Sequence, residues 1–142
     1  MTIHMSCEDL SAFLLAEFPQ VALDFRIERV TDAGLVLRLR VDDRHLRPGG
    51  TVSGPAIFAL ADVAIYLAIL SRIGPVKLAV TTSASLDFMR KPAAGCDLLA
   101  EVRLLKLGRS LAVADALIVS EGAVDPVARA SMTYAIPPAR RG

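Results

Sequence analysis

The chain has 142 residues, 54% of them apolar and 22% charged, with a formal charge of +1. Those figures fit one globular domain spanning 1–142 and exclude a disordered chain. Two tyrosines, five phenylalanines, no tryptophan and no basic block also speak against a nucleic-acid partner. Cys7 and Cys96 stand apart, with no CxxC pair and no histidine at metal spacing, which predicts free thiols in a reducing compartment and no bound metal. Residues 1–9 carry Glu8 and Asp9 and lack the apolar stretch of a signal peptide. The longest apolar run is about 16 residues with a charge at its middle, below the roughly 20 that span a bilayer. A cytoplasmic protein with no membrane partner is the expectation.

In chain order, Ser6 and Asp9 resemble a helix-start capping pair, and Leu10, Phe13, Leu14 and Phe18 follow at helical spacing until Pro19. A helix over about 7–18 is expected. From about residue 22 the period falls to two. Leu35, Leu37, Leu39 and Val41 alternate with Val36, Arg38 and Arg40, so 22–30 and 35–41 read as a hairpin turned at Asp32 and Gly34. Residues 42–52 form a polar Gly/Pro loop whose Arg44 and His45 read as ordinary loop residues, with no role assigned to His4 or His45. An apolar helix over about 54–71 ends near Gly74-Pro75. Further strands are expected at 77–89, 97–107, 111–120 and 127–136. In the third of these, Ala112, Ala114 and Ala116 leave room for a thick neighbour on one face. One all-round apolar helix with about five to six strands, mostly in hairpins, predicts an α+β fold, a curved antiparallel sheet wrapped around a central helix.

Asp62 breaks the pattern of that helix. An unpaired carboxylate costs several kcal/mol to bury, so it needs either a silent partner or a task. At the helix start, Ser53 suits the N-cap and Pro55 is tolerated in the first turn. The first amides lack intrahelical acceptors, and Gly54 lets a ligand approach the backbone closely. Gly54, with Ala56 as a second donor, can therefore stabilise a carbonyl oxygen gaining charge. Asp62 lies eight residues further on, about 12 Å along the axis at 1.5 Å per residue. One helix cannot aim both groups at one small carbonyl, whereas two copies about a two-fold axis can.

The stretch GGTVSGPAIFALADVAIYLA resembles the hotdog-fold acyl-CoA thioesterases, in particular the phenylacetyl-CoA thioesterase-like branch of the 4-hydroxybenzoyl-CoA thioesterase superfamily. LAVTTSASLDFMRKPAAG and RLLKLGRSLAVADALIVSEG followed by PVARASMTY are similar to the strands that follow that helix. The resemblance covers about residues 20–136. It implies hydrolysis of a coenzyme A thioester with an aromatic or medium acyl group, at the interface of a homodimer or dimer of dimers. No cofactor is implied beyond the coenzyme A of the substrate.

The same resemblance implies Asp62 as nucleophile or general base and the Gly54 amide of a neighbouring subunit as carbonyl polariser. It gives Thr82 as the orienting hydroxyl, with Thr81 and Ser83 as rivals. Substrate contacts would come from Ser53, and from Arg90, Lys91, Lys106 and Arg109 for the phosphates. Ile57, Phe58, Ile65, Tyr66, Leu86 and Phe88 are the apolar candidates for a pocket. Two departures stand out: Ser53 and Pro55 occupy the family's His and second Gly, and the family's Asn is missing from the Arg47–Gly50 loop. These favour a non-catalytic acyl-CoA-binding protein as the alternative. A dehydratase of the same fold needs a histidine beside the carboxylate, and none lies on the helix or the strands after it.

Overall fold

Ser6 starts the first helix as the sequence predicts. Its hydroxyl accepts from the Asp9 amide at 3.1 Å, and the Asp9 carboxylate accepts from the Ser6 amide at 3.0 Å. The computed structural model describes residues 2–138. Helix α1 (Cys7–Glu17) buries Leu10 and Leu14. Pro19 ends it and opens a single-turn helix, α2 (Pro19–Ala22). This second turn delays the first strand: β1 runs Phe25–Val30 rather than from residue 22. Strand β2 (Gly34–Leu39) returns antiparallel, and a 3-10 turn at Asp43–His45 leads to the long helix α3 (Gly54–Ile73). Strands β3 (Val80–Phe88), β4 (Leu98–Leu107), β5 (Leu111–Ser120) and β6 (Ala128–Ala135) complete the chain.

The six strands form one antiparallel sheet in the order β1-β2-β4-β5-β6-β3. Its concave face wraps α3, whose residues from Ala64 to Arg72 are all buried. Alternation decides which strand residues meet the helix. On β5, Ala112, Ala114, Ala116 and Ile118 are buried while Leu111 and Leu117 are exposed. The alanines make space for α3, as their size suggested. By length and composition α3 could cross a bilayer, but about two-thirds of it is buried inside this protein, so it is the core helix.

Two features fix the ends of the layers. Gly74, at φ 93°, stops α3 in a conformation that favours glycine. Just before it, buried Arg72 donates to the carbonyls of Thr31, Asp32 and Gly34, pinning the β1–β2 turn to the helix. At the other edge, β3 pairs only with β6 and is exposed along most of its nine residues. A curved sheet around one central helix, with helix and strands in this order, is the hotdog fold.

Candidate active site

Ser53 and the turn before it set the start of α3. The Ser53 hydroxyl accepts from the Ala56 amide at 3.3 Å, and its carbonyl accepts from the Ile57 amide at 3.1 Å. The Ser53 hydroxyl, expected to touch substrate, thus serves as the N-cap acceptor and retains its own O–H donor. Ala56 is committed to that cap and Pro55 has no N–H. The Gly54 amide is left as the first-turn donor with no acceptor among the described residues.

His45 holds the preceding loop in place. Its carbonyl accepts from the Ser53 amide at 2.8 Å, its Nδ1 accepts from the Asp42 amide at 2.9 Å, and its Nε2 lies 3.6 Å from the Asp24 carboxylate. Burial first, then the charge of Arg44, lowers the His45 pKa below its usual value. A histidine with no visible partner in the sequence is a buried brace in the fold.

Asp62 is half-buried, two turns further along α3. Its Oδ1 accepts from Thr81 Oγ1 at 2.6 Å and from Tyr134 OH at 2.5 Å. The same phenol lies 3.0 Å from the Asp62 main-chain carbonyl. Its other oxygen, Oδ2, makes no hydrogen bond among the described residues. The hydroxyl on the acid is therefore Thr81 and not Thr82. A bulge in the β3–β6 pairing explains the change: Thr81 pairs with Tyr134 and Ser83 with Thr133, so Thr82 is the extra residue. Its hydroxyl turns instead to the Thr133 carbonyl at 3.3 Å. Tyr134, which the sequence reading overlooked, is held far above the usual tyrosine range by burial and then by the Asp62 charge. It remains a proton donor at physiological pH.

Asp62 and Thr81 line a cleft of about 330 Å³. Its walls are largely apolar: Leu14, Phe18 and Val21 from α1 and α2, Val63 and Tyr66 from α3, Val80 from β3. Tyr66 sits between these helices and the acid. Its ring centroid is 6.3 Å from those of Phe13 and Phe18 and 6.0 Å from that of Tyr134, and its hydroxyl donates to the Lys77 carbonyl at 3.0 Å. Of the six apolar pocket candidates, only Tyr66 lines this cleft. Ile57 and Ile65 are core residues, Leu86 is half-buried, and Phe58 and Phe88 are exposed near the start of α3. The helices before β1 supply the walls that sequence pattern did not locate.

Strand directions sort the remaining residues between two ends of the sheet. Val80 and Leu111 both pair with Ala135, so Asp62, Thr81 and Tyr134 share an end with the β4–β5 turn, where Lys106 and Arg109 are exposed. Arg90 and Lys91 follow β3 at the opposite end, and Arg90 donates to the Pro126 carbonyl at 2.9 Å. Gly54 belongs to that end too. A Cβ on it would lie 3.6 Å from the Phe88 ring. The four cations therefore do not form one cluster within a single chain, and Asp62 and Gly54 face opposite ends, as the spacing along α3 requires.

A six-stranded curved antiparallel sheet around a long apolar helix is the architecture of hotdog thioesterases. Residues 49–127, more than half of the chain, match the family model described as Thioesterase superfamily, and the chain belongs to that family. A Pseudomonas aeruginosa protein named "Putative esterase" is 35% identical over 72% of this chain and 75% of its own length. Among solved structures, a "putative thioesterase" from Silicibacter sp. TM1040 is 55% identical, covering 97% of this chain and 96% of that one with a TM-score of 0.91. A point mutant of the phenylacetic acid degradation protein PaaI from Thermus thermophilus is 31% identical. That match covers 84% of this chain and 99% of the other with a TM-score of 0.71.

Proposed function

We propose that this protein is a homodimeric hydrolase of acyl-CoA thioesters, with each site built from Asp62 of one chain and the Gly54 amide of the other. One observation carries the reading: the Asp62 carboxylate has one oxygen held by two donors and the other without a partner among the described residues, at an apolar cleft of about 330 Å³. That volume is at the low end for ligand pockets and suits an aromatic or medium acyl group between Tyr66 and the α1–α2 wall. Asp62 Oδ2 either takes a proton from the attacking water or attacks the carbonyl itself, giving an acyl-aspartyl anhydride that water then cleaves. The Gly54 amide stabilises the oxyanion, and the thiolate of coenzyme A leaves.

The second copy is argued from β3. This edge strand is nine residues long and contains no proline, and its one charge, Asp87, is paired with Arg129 at 2.8 Å. Exposed Val80 lies at one end and exposed Phe88 and Met89 at the other. Such an edge is a template for another strand. Antiparallel pairing of β3 with its own copy brings Thr81 of one chain toward Phe88 of the other, and with Phe88 comes Gly54. The partner's Arg90 and Lys91 then join Lys106 and Arg109 at the same end, where the phosphates of coenzyme A can meet them.

Thiol release from a panel of acyl-CoAs tests the reaction. Asp62→Asn is expected to lower turnover by roughly 10²-fold or more while the dimer and ligand binding persist. Equal and negligible hydrolysis by wild type and variant, with acyl-CoA still bound, would instead establish the non-catalytic binder. Ser53, an N-cap where the family carries His, is the observation that keeps this second reading in view.

A further inference from the structure

Tyr134 is 72 residues from Asp62 in sequence and lies outside the stretch that matches the family model. Its hydroxyl nevertheless makes the shortest contact to the acid, 2.5 Å to Oδ1, and also reaches the Asp62 main-chain carbonyl at 3.0 Å. The ring is 3% exposed, so little freedom remains for the hydroxyl to turn elsewhere. Thr81, its cross-strand partner, donates to the same oxygen from the neighbouring strand. Both donors therefore converge on one carboxylate atom from adjacent positions of a β-ladder, and neither reaches the other oxygen. A carboxylate on an sp³ stem rotates broadly about its last torsion. Two donors fixed by sheet pairing remove that freedom.

We infer that Tyr134 is a positioning residue of the hydrolytic site. With Thr81 it anchors Asp62 Oδ1, so that Oδ2 is the working oxygen and is held toward the cleft. The inference rests on the hydrolase reading above. Tyr134 touches no substrate atom in this account and acts only through Asp62. Holding the reacting oxygen in one orientation contributes to the rate of the chemical step rather than to the binding of the acyl chain.

The test is a double-mutant cycle on the full-length protein, with kcat and KM measured on the best acyl-CoA of the panel. Tyr134→Phe keeps the ring and removes the donor. Its kcat is expected to fall roughly tenfold or more with KM changed less than about threefold. In an Asp62→Asn background the same substitution is expected to leave the residual kcat unchanged, because the group it acts through is gone. Thr81→Val approaches the anchor from its other donor and serves if Tyr134→Phe fails to fold, with the same split expected. An active wild type whose Tyr134→Phe variant retains full kcat, or loses only KM, overturns the positioning role and leaves the hydrolase reading intact. A fall that persists unchanged in Asp62→Asn also overturns it, since the phenol would then act elsewhere. A wild type inert on every thioester overturns the hydrolase reading and the positioning role together.

Discussion

Asp62 is tolerated within an apolar helix because two hydroxyls on the neighbouring ladder take one of its oxygens and the cleft leaves the other accessible. The same packing governs both tyrosines of the chain. Burial, and to a smaller degree Glu17, pushes Tyr66 up to about 12. Burial and Asp62 raise Tyr134 further in the same direction. Both folded values lie above the unfolded value of about 10. The contribution of Tyr66 to stability is thus complete below about pH 10 and is lost as pH rises through about 12, while that of Tyr134 persists to higher pH. An ultraviolet titration of the native protein should show almost no tyrosinate at about pH 10, whereas the urea-unfolded chain should be about half ionised there. Half-ionisation of either tyrosine in the native protein at that pH would contradict the packing described. Asp62 and Gly54 were legible in the sequence because each breaks a local pattern, a charge in an apolar run and a glycine at a helix start. Tyr134 was not, since an aromatic in an alternating strand reads as core. The choice between Thr81 and Thr82 turned on a bulge, which side-chain alternation does not display.

Elements were legible wherever periodicity ran long. The α3 helix, the β4–β5–β6 meander and the alanine face of β5 fall where spacing put them, with no end moved by more than two residues. What sequence could not supply was the placement of β3 beyond β6, because strand order depends on which pairings close the sheet rather than on any local signal. The α1–α2 break is similar. Pro19 marked a stop, but only tertiary packing makes Phe18 and Val21 a wall of the cleft. Gly34 shows how tightly the strands are fitted. A Cβ there would sit 2.3 Å from the Val102 carbonyl oxygen, a backbone atom with no freedom to move aside. Gly34→Ala should therefore destabilise the fold by about 1–3 kcal/mol, read as a lower denaturant midpoint. An unchanged midpoint would mean that β2 and β4 are less closely apposed than the ladder indicates.

At the scale of the whole molecule, the two groups proposed to act on one thioester face opposite ends of the chain. Asp62, Thr81 and Tyr134 occupy one end, and Gly54 with Phe88 the other, so a reaction needing both halves needs two chains. This separation was readable as a distance along α3. The exposed β3 edge that would join the chains emerged only with the fold. Subunit mixing tests the account most directly. Asp62→Asn removes the acid, and Gly54→Pro removes the amide at a first-turn position whose preceding residue, Ser53, already has the extended backbone that proline favours (φ −74°, ψ 156°). Each variant alone should be nearly inactive. After the two are unfolded and refolded together, half of the dimers are mixed and carry one complete site. Activity should therefore return to about a quarter of wild type. A refolded mixture no more active than its parents, with mixed dimers present by mass, would contradict a site shared between chains.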